Sequence, residues 1–170
     1  MINITNVFGW SVTMGNIINI LIAAMLFAFS TLASAEANVS FSEDVVKSHT
    51  GKTFTLDVLM SDFPTTEGGG LVLHFDPSRL QVTNVTVDSS VWKFVNKDGD
   101  IDNTDGTVSG ILFSSYQGVT ANARIATIEF QAIRKGKSNI TLEESASNPF
   151  ASNGQGIDVT FVPAMIRIRR

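Results

Sequence analysis

Apolar and polar residues alternate along most of the chain after residue 35. Phe54, Leu56, Val58 and Met60 alternate with Thr53, Thr55, Asp57 and Leu59, which is the two-residue period of a half-buried strand. Leu71, Leu73 and Phe75 carry the period to Asp76-Pro77, where proline stops the ladder and opens a turn. Leu80 and Val82 give way to Val85 and Val87, a phase switch that predicts a bulge or a change of sheet. Thr107 to Phe113 and Ala123 to Ile133 are the next runs. In the second, Ala126, Ile128, Phe130 and Ala132 face one way, against Ile125, Thr127, Glu129 and Gln131. Arg134 to Lys137 reads as a turn and Asn139 to Leu142 as a short strand. Ile157 to Ile168 finishes the pattern, with a second phase switch at Pro163. No segment sustains a helical period. Short strands separated by Gly, Pro and Asn turns predict an all-β sandwich or jelly roll.

Ahead of the strands the pattern changes. Ile17 to Phe29 is an apolar run broken only by Asn19, and it leads to Ala33-Ser34-Ala35, a small-x-small site of the kind signal peptidase cuts. The expectation is a signal peptide over 1–35 and one mature domain over 36–170, in an extracellular or periplasmic location. No Lys or Arg precedes Lys47, and a start at Met14 would give a signal of more usual length. The apolar run falls short of the roughly 20 residues a spanning helix needs, so no stable membrane span is expected after cleavage.

Charge and cysteine content narrow the function. All 12 basic and 16 acidic residues lie beyond position 35, a net charge of −4. That balance argues against nucleic acid, whose footprint is a basic stripe. The one basic cluster, Ile166-Arg167-Ile168-Arg169-Arg170, alternates as a strand and reads as a solvated edge. Cysteine is absent, so the core is held by packing, without disulfides or thiolate metal sites.

Three segments carry a family resemblance. Leu71-Val72-Leu73-His74-Phe75-Asp76-Pro77-Ser78-Arg79-Leu80 resembles the aromatic-Asp-Pro-x-x-Leu strand and turn of cohesin domains, the receptor half of cellulosome-type scaffolds. Asp105 to Phe113 resembles that family's central sheet strand. Ile125 to Phe130, with Gly136 and Ile140, resembles its next core strand and partner. Pro149 to Gly154 is similar to the loop before the final strand. The resemblance runs from about Val39 to Ile168. It implies a jelly-roll β-sandwich of about nine strands and a flat sheet face that docks a dockerin-like protein. Carried onto this chain, the docking positions are Gly68, Gly70, Val72, His74, Ser109, Ser115 and Gly118. Dockerin-binding members hold polar side chains where Gly68 and Gly70 stand, and often an acid where Ser115 stands.

Other candidates have simpler explanations beside the sharper ones. Asp98, Asp100, Asp102 and Asp105 would suit calcium, an oxygen-seeking cation, but the loop lacks the Gly and Glu spacing of an EF-hand. An acidic, solvated loop tip accounts for them, and no cofactor is otherwise expected. Glu67-Gly68-Gly69-Gly70 is not a P-loop, because no Lys-Ser/Thr and no helix follow. Its glycines permit a turn or the close approach of another backbone. Trp92, Phe94 and Tyr116 are the aromatics expected nearest the surface. Trp92 and Tyr116 are the candidate sugar platform if the module binds polysaccharide, whereas Trp92 and Phe94 capping the core is the plainer alternative. His49 and His74 are lone histidines without the spacing of a zinc site. No Gly-x-Ser-x-Gly or His-Glu-x-x-His occurs, so an enzyme is not expected. A structural subunit of a surface assembly is the third alternative, beside protein and carbohydrate binding.

Overall fold

The computed structural model describes residues 36–170; the expected signal segment, Met1 to Ala35, lies outside the described residues. Twelve strands follow in chain order: β1 (Asn38–Phe41), β2 (Val45–His49), β3 (Thr53–His74), β4 (Leu80–Val87), β5 (Phe94–Lys97), β6 (Asp100–Asp102), β7 (Thr107–Ala132), β8 (Gly136–Glu144), β9 (Ala151–Ser152), β10 (Gln155–Gly156), β11 (Thr160–Phe161) and β12 (Ala164–Arg169). No helix occurs among the described residues, and none there is long and apolar enough to cross a membrane.

Two long strands organise everything else. β3 and β7 run antiparallel from Thr53 opposite Gln131 to His74 opposite Thr107, with repeated register shifts. Leu56, Val58 and Met60 point inward in the first half of β3, and Leu71 and Leu73 in the second half. Asp62, with φ 60°, breaks the alternation between them, and Gly118, with φ 68°, does the same on β7. Such bulges bend and twist a strand, and here they carry the β3–β7 ribbon from one layer of the sandwich to the other. The first half of β3 and the second half of β7 lie in one layer, ordered β11-β1-β3-β7-β4. The opposite halves lie in the second layer, ordered β2-β12-β8-β3-β7, with β5 and β6 on the far side of β7.

The β-sandwich jelly roll anticipated from alternation is the architecture observed. Both phase switches have the expected cause. The β4–β7 register shifts between Val82 and Asn84, which keeps Leu80, Val82, Val85 and Val87 all buried. Pro163 separates β11, paired with β1, from β12, paired with β2 and β8, so the chain changes layers there.

Three expectations need correction. The runs Thr107 to Phe113 and Ala123 to Ile133 are not separate strands: β7 continues from one into the other. Ile125 is fully buried rather than outward, because the shift between Val58 and Leu59 places two successive β7 residues on the inner side. The basic C-terminal strand is no edge: β12 lies between β2 and β8.

The core is continuous between the layers. Phe130, fully buried, stacks on Phe54 at 5.4 Å and meets Phe75 edge-on at 6.4 Å. Phe150, also fully buried, touches Phe63, Phe113 and Phe161.

Candidate functional site

The second layer presents the outer face of β8, β3 and β7. Because strand residues alternate between faces, the positions between the buried Leu71, Leu73, Val108, Ile111 and Phe113 point outward. Val72 lies opposite Glu143, and His74 opposite both Thr141 and Thr107. His74 Nε2 meets Glu143 Oε1 at 3.0 Å across this face. Ser109 is exposed and lies opposite Asp100, and Asp100 pairs with Lys97. Leu112, half-buried between the inward Ile111 and Phe113, supplies the main apolar surface near the centre. The result is a fairly flat surface with apolar Val72 and Leu112 among small hydroxyls, the His74–Glu143 contact and the Lys97–Asp100 ion pair.

An aromatic step stands at one end. Tyr116 is 92% exposed and Phe94 45% exposed, with rings 5.2 Å apart at 73°. Beside them Glu67, Asn96, Ser114 and Ser115 line a shallow depression of about 510 Å³. Trp92 does not belong to this surface: it caps the core, the plainer of the two readings from sequence, and is no part of a sugar platform. It is fully buried against Phe113 at 4.6 Å, and its indole N–H donates to the Arg124 carbonyl at 3.1 Å. Asp88 turns the chain inward here: its carbonyl accepts the Trp92 N–H, and its carboxylate accepts bonds from Ser90 and Arg124. Those partners, Ser90 first, hold the Asp88 carboxyl below its ordinary range, and Asp88 in turn raises the Arg124 guanidinium.

The cohesin-domain family profile matches residues 30–166. The chain belongs to the cohesin domain family. Solved cohesins share its fold. One from Clostridium acetobutylicum, in solution, gives a TM-score of 0.59 at 20% identity, covering 77% of this chain and 90% of that one. A non-cellulosomal cohesin from the hyperthermophilic archaeon Archaeoglobus fulgidus gives 0.66 at 13% identity, covering 80% and 93%. A type I cohesin–dockerin complex from Clostridium thermocellum gives 0.64 at 14% identity, covering 79% and 100%. No curated protein matches the sequence.

In this cohesin domain the glycine run is not bare backbone waiting for a partner. Gly68 and Gly70 are buried. A Cβ on Gly70 would come within 2.8 Å of both Leu112 Cδ2 and Ser145 Cβ, and one on Gly69 within 3.0 Å of the Phe150 ring. The Gly70 carbonyl accepts the Ser145 N–H at 2.9 Å, and Gly68 pairs with Ala151. Glycine is needed because the cohesin's own loop before β9 closes over this stretch. Ser115 is likewise turned inward, only 8% exposed. Gly118 serves the β7 bulge, where a Cβ would lie 2.5 Å from Thr65 Cγ2. Of the seven docking positions named from sequence, Val72, His74 and Ser109 share the outer face. Leu112, Glu143 and Phe94 join them there; the signal for Leu112 was its outward phase between Ile111 and Phe113.

The acidic segment does not converge. Asp98 Oδ1 accepts the Val87 N–H at 2.8 Å, and Asp100 is held by Lys97. Asp102 Oδ1 accepts the Asp105 and Thr104 N–H groups, which lower its pKa. Among the described residues no three His, Asp or Glu side chains gather to hold a metal ion. In this cohesin domain Asp102 closes the turn into β7 and Asp98 ties the segment to β4.

Proposed function

We propose that this protein is a non-catalytic receptor that docks a dockerin-like partner on the outer face of β8, β3 and β7. The observation that carries this is the face itself. It is a rigid strand surface with apolar side chains at Val72 and Leu112, flanked by polar groups already paired within the sheet. A partner there displaces water from apolar area without leaving charges unpaired, which suits a protein interface with a less charged centre. Similar cohesins have been solved in complex with dockerins, which supports the choice of partner. The same reading has the chain exported, with residues 1–35 removed.

Hydrogen–deuterium exchange with and without a dockerin domain tests the location. Added protection is expected at Gly70–Phe75, Thr107–Ser115 and Thr141–Glu144. Protection confined to the opposite layer would reject this face.

Carbohydrate binding is a second reading, favoured by the exposed Tyr116 ring above the depression lined by Asn96 and Glu67. Its platform would be Tyr116 alone, since Phe94 stands at 73° to it and Trp92 is buried.

A further inference from the structure

The sheet β2–β12–β8 carries a row of cations that neither the core nor the docking face explains. Lys137, Arg167 and Lys47 lie directly opposite one another on three adjacent strands. All three are exposed, on the face opposite buried Ile166 and Ile168. Arg169, two residues further along β12, is exposed opposite His49, and Arg170 follows. Among the described residues none of these cations is in a salt bridge, whereas Arg79, Lys97 and Arg124 all are. Like charges directly opposite each other destabilise a sheet. Protection of a free edge accounts only for Lys47, because β12 has neighbours on both sides. A basic face on a chain of net charge −4 therefore calls for a ligand.

We propose that this face binds a linear anionic polysaccharide bearing a carboxylate on each sugar. Neighbouring strands lie about 4.8 Å apart and alternate residues along a strand about 6.6 Å, so the cations form a lattice about 10 Å wide. A chain with regularly spaced carboxylates can meet several of them at once, with the guanidinium of Arg167 forming paired hydrogen bonds to one. The outward neighbours are Asn139, Thr141, Met165 and Val45, with Glu143, held by His74, beyond Thr141 on β8, and there is no aromatic anchor of the kind that dominates protein interfaces. A nucleic-acid duplex carries its charge well beyond such a narrow row. The two surfaces share β8, with Lys137 near its start and the docking residues Thr141 and Glu143 near its end, and the proposal does not rest on the docking reading.

The test is affinity electrophoresis of the protein through gels containing polygalacturonate, at low and moderate salt. Lys137→Gln/Arg167→Gln is compared with Lys93→Gln/Lys97→Gln, which removes the same charge from the far end. The first pair should weaken retention about tenfold or more, the scale of two cations at an anionic surface. The second should change it by less than about twofold, since β5 lies four strands from β12, roughly 19 Å or about two screening lengths at moderate salt. The melting temperature of the first variant should hold or rise, since like-charge repulsion is relieved. The proposal is overturned by absent retention of the native protein, by equal loss in both variants, or by a lower melting temperature in the first. Duplex DNA or polyglutamate bound as tightly as polygalacturonate would also overturn it.

Discussion

Replacing Phe150 with alanine tests whether the loop before β9 is pinned as described. The ring is fully buried, with Phe63 at 5.2 Å, Phe113 at 5.6 Å and Phe161 at 6.5 Å, and it lies over Gly69. Its backbone is tied as well: Glu144 Oε1 accepts its N–H at 2.7 Å, and its carbonyl accepts the Ile157 N–H at 2.9 Å. Emptying an aromatic core site removes about 3–5 kcal/mol, and the edge-on contact with Phe113 adds roughly 0.5–1.5 kcal/mol. The upper part of the range, about 4–5 kcal/mol, is therefore expected. That is a large share of the roughly 5–15 kcal/mol that holds a domain folded. With a urea slope of about 2 kcal/mol per molar, the unfolding midpoint should fall by about 2 M. Phe150→Leu, which keeps most of the volume, should lose under about 1.5 kcal/mol. Exchange of the Ser145 amide, bonded to Gly70, should speed up in the alanine variant. A loss below about 1 kcal/mol, the range of surface substitutions, would refute the pinned loop.

Three further outcomes are expected. Gly70→Ala should destabilise by about 1–3 kcal/mol, as overpacking does, because its Cβ would press on Leu112 and Ser145; an unchanged thermal melt would show that the loop does not close there. The depressed folded pKa of Asp88 contributes stability that is present above its unfolded value, about 3.9, and lost as pH falls through the folded value; urea titrations from pH 6 to pH 2.5 should show a smaller acid loss in Asp88→Asn than in the native protein. N-terminal sequencing of exported protein should begin at Glu36, one residue before the first backbone tie to the sheet, the Ala37 carbonyl to the Thr160 N–H; retention of Ile17 to Phe29 would reveal an anchor.

Periodicity carried the fold a long way. The inward set Leu56, Val58 and Met60, the switch between Val82 and Val85, and the crossing at Pro163 all follow from alternation, because a strand with one buried face cannot slip by one residue without exposing its core. Alternation says which face a residue takes, however, and nothing about lateral neighbours. That is why β12 read as an edge when it lies between β2 and β8. It also fails where the period breaks: Gly118 to Ile125 stays extended through pairings such as Thr66 with Val119, which depend on a strand distant in sequence.

The candidate site was half legible. Val72, His74 and Ser109 share a face because their strand phase was correct and the family resemblance named the strands. The glycines signalled close approach without saying what approaches, and here it is Phe150 and Ser145 of the same chain. Trp92 stayed open between core and surface because Ser89 to Lys93 has no period to orient it; the Asp88 turn and the Arg124 carbonyl settle its direction.

The central claim is that docking uses the outer face of β8, β3 and β7, and surface plasmon resonance against a panel of dockerin domains tests it most directly. The native protein, Leu112→Glu, Tyr116→Ala and Lys137→Gln/Arg167→Gln would be compared. At least one dockerin should bind the native protein. Leu112→Glu should weaken that binding about a hundredfold, since buried centres of interfaces lose 2 kcal/mol or more when disrupted, while its thermal melt stays close to native and the cationic-face variant binds normally. Normal binding by Leu112→Glu would contradict the account. So would a protein that ignores every dockerin but is held by insoluble polysaccharide until Tyr116 is removed.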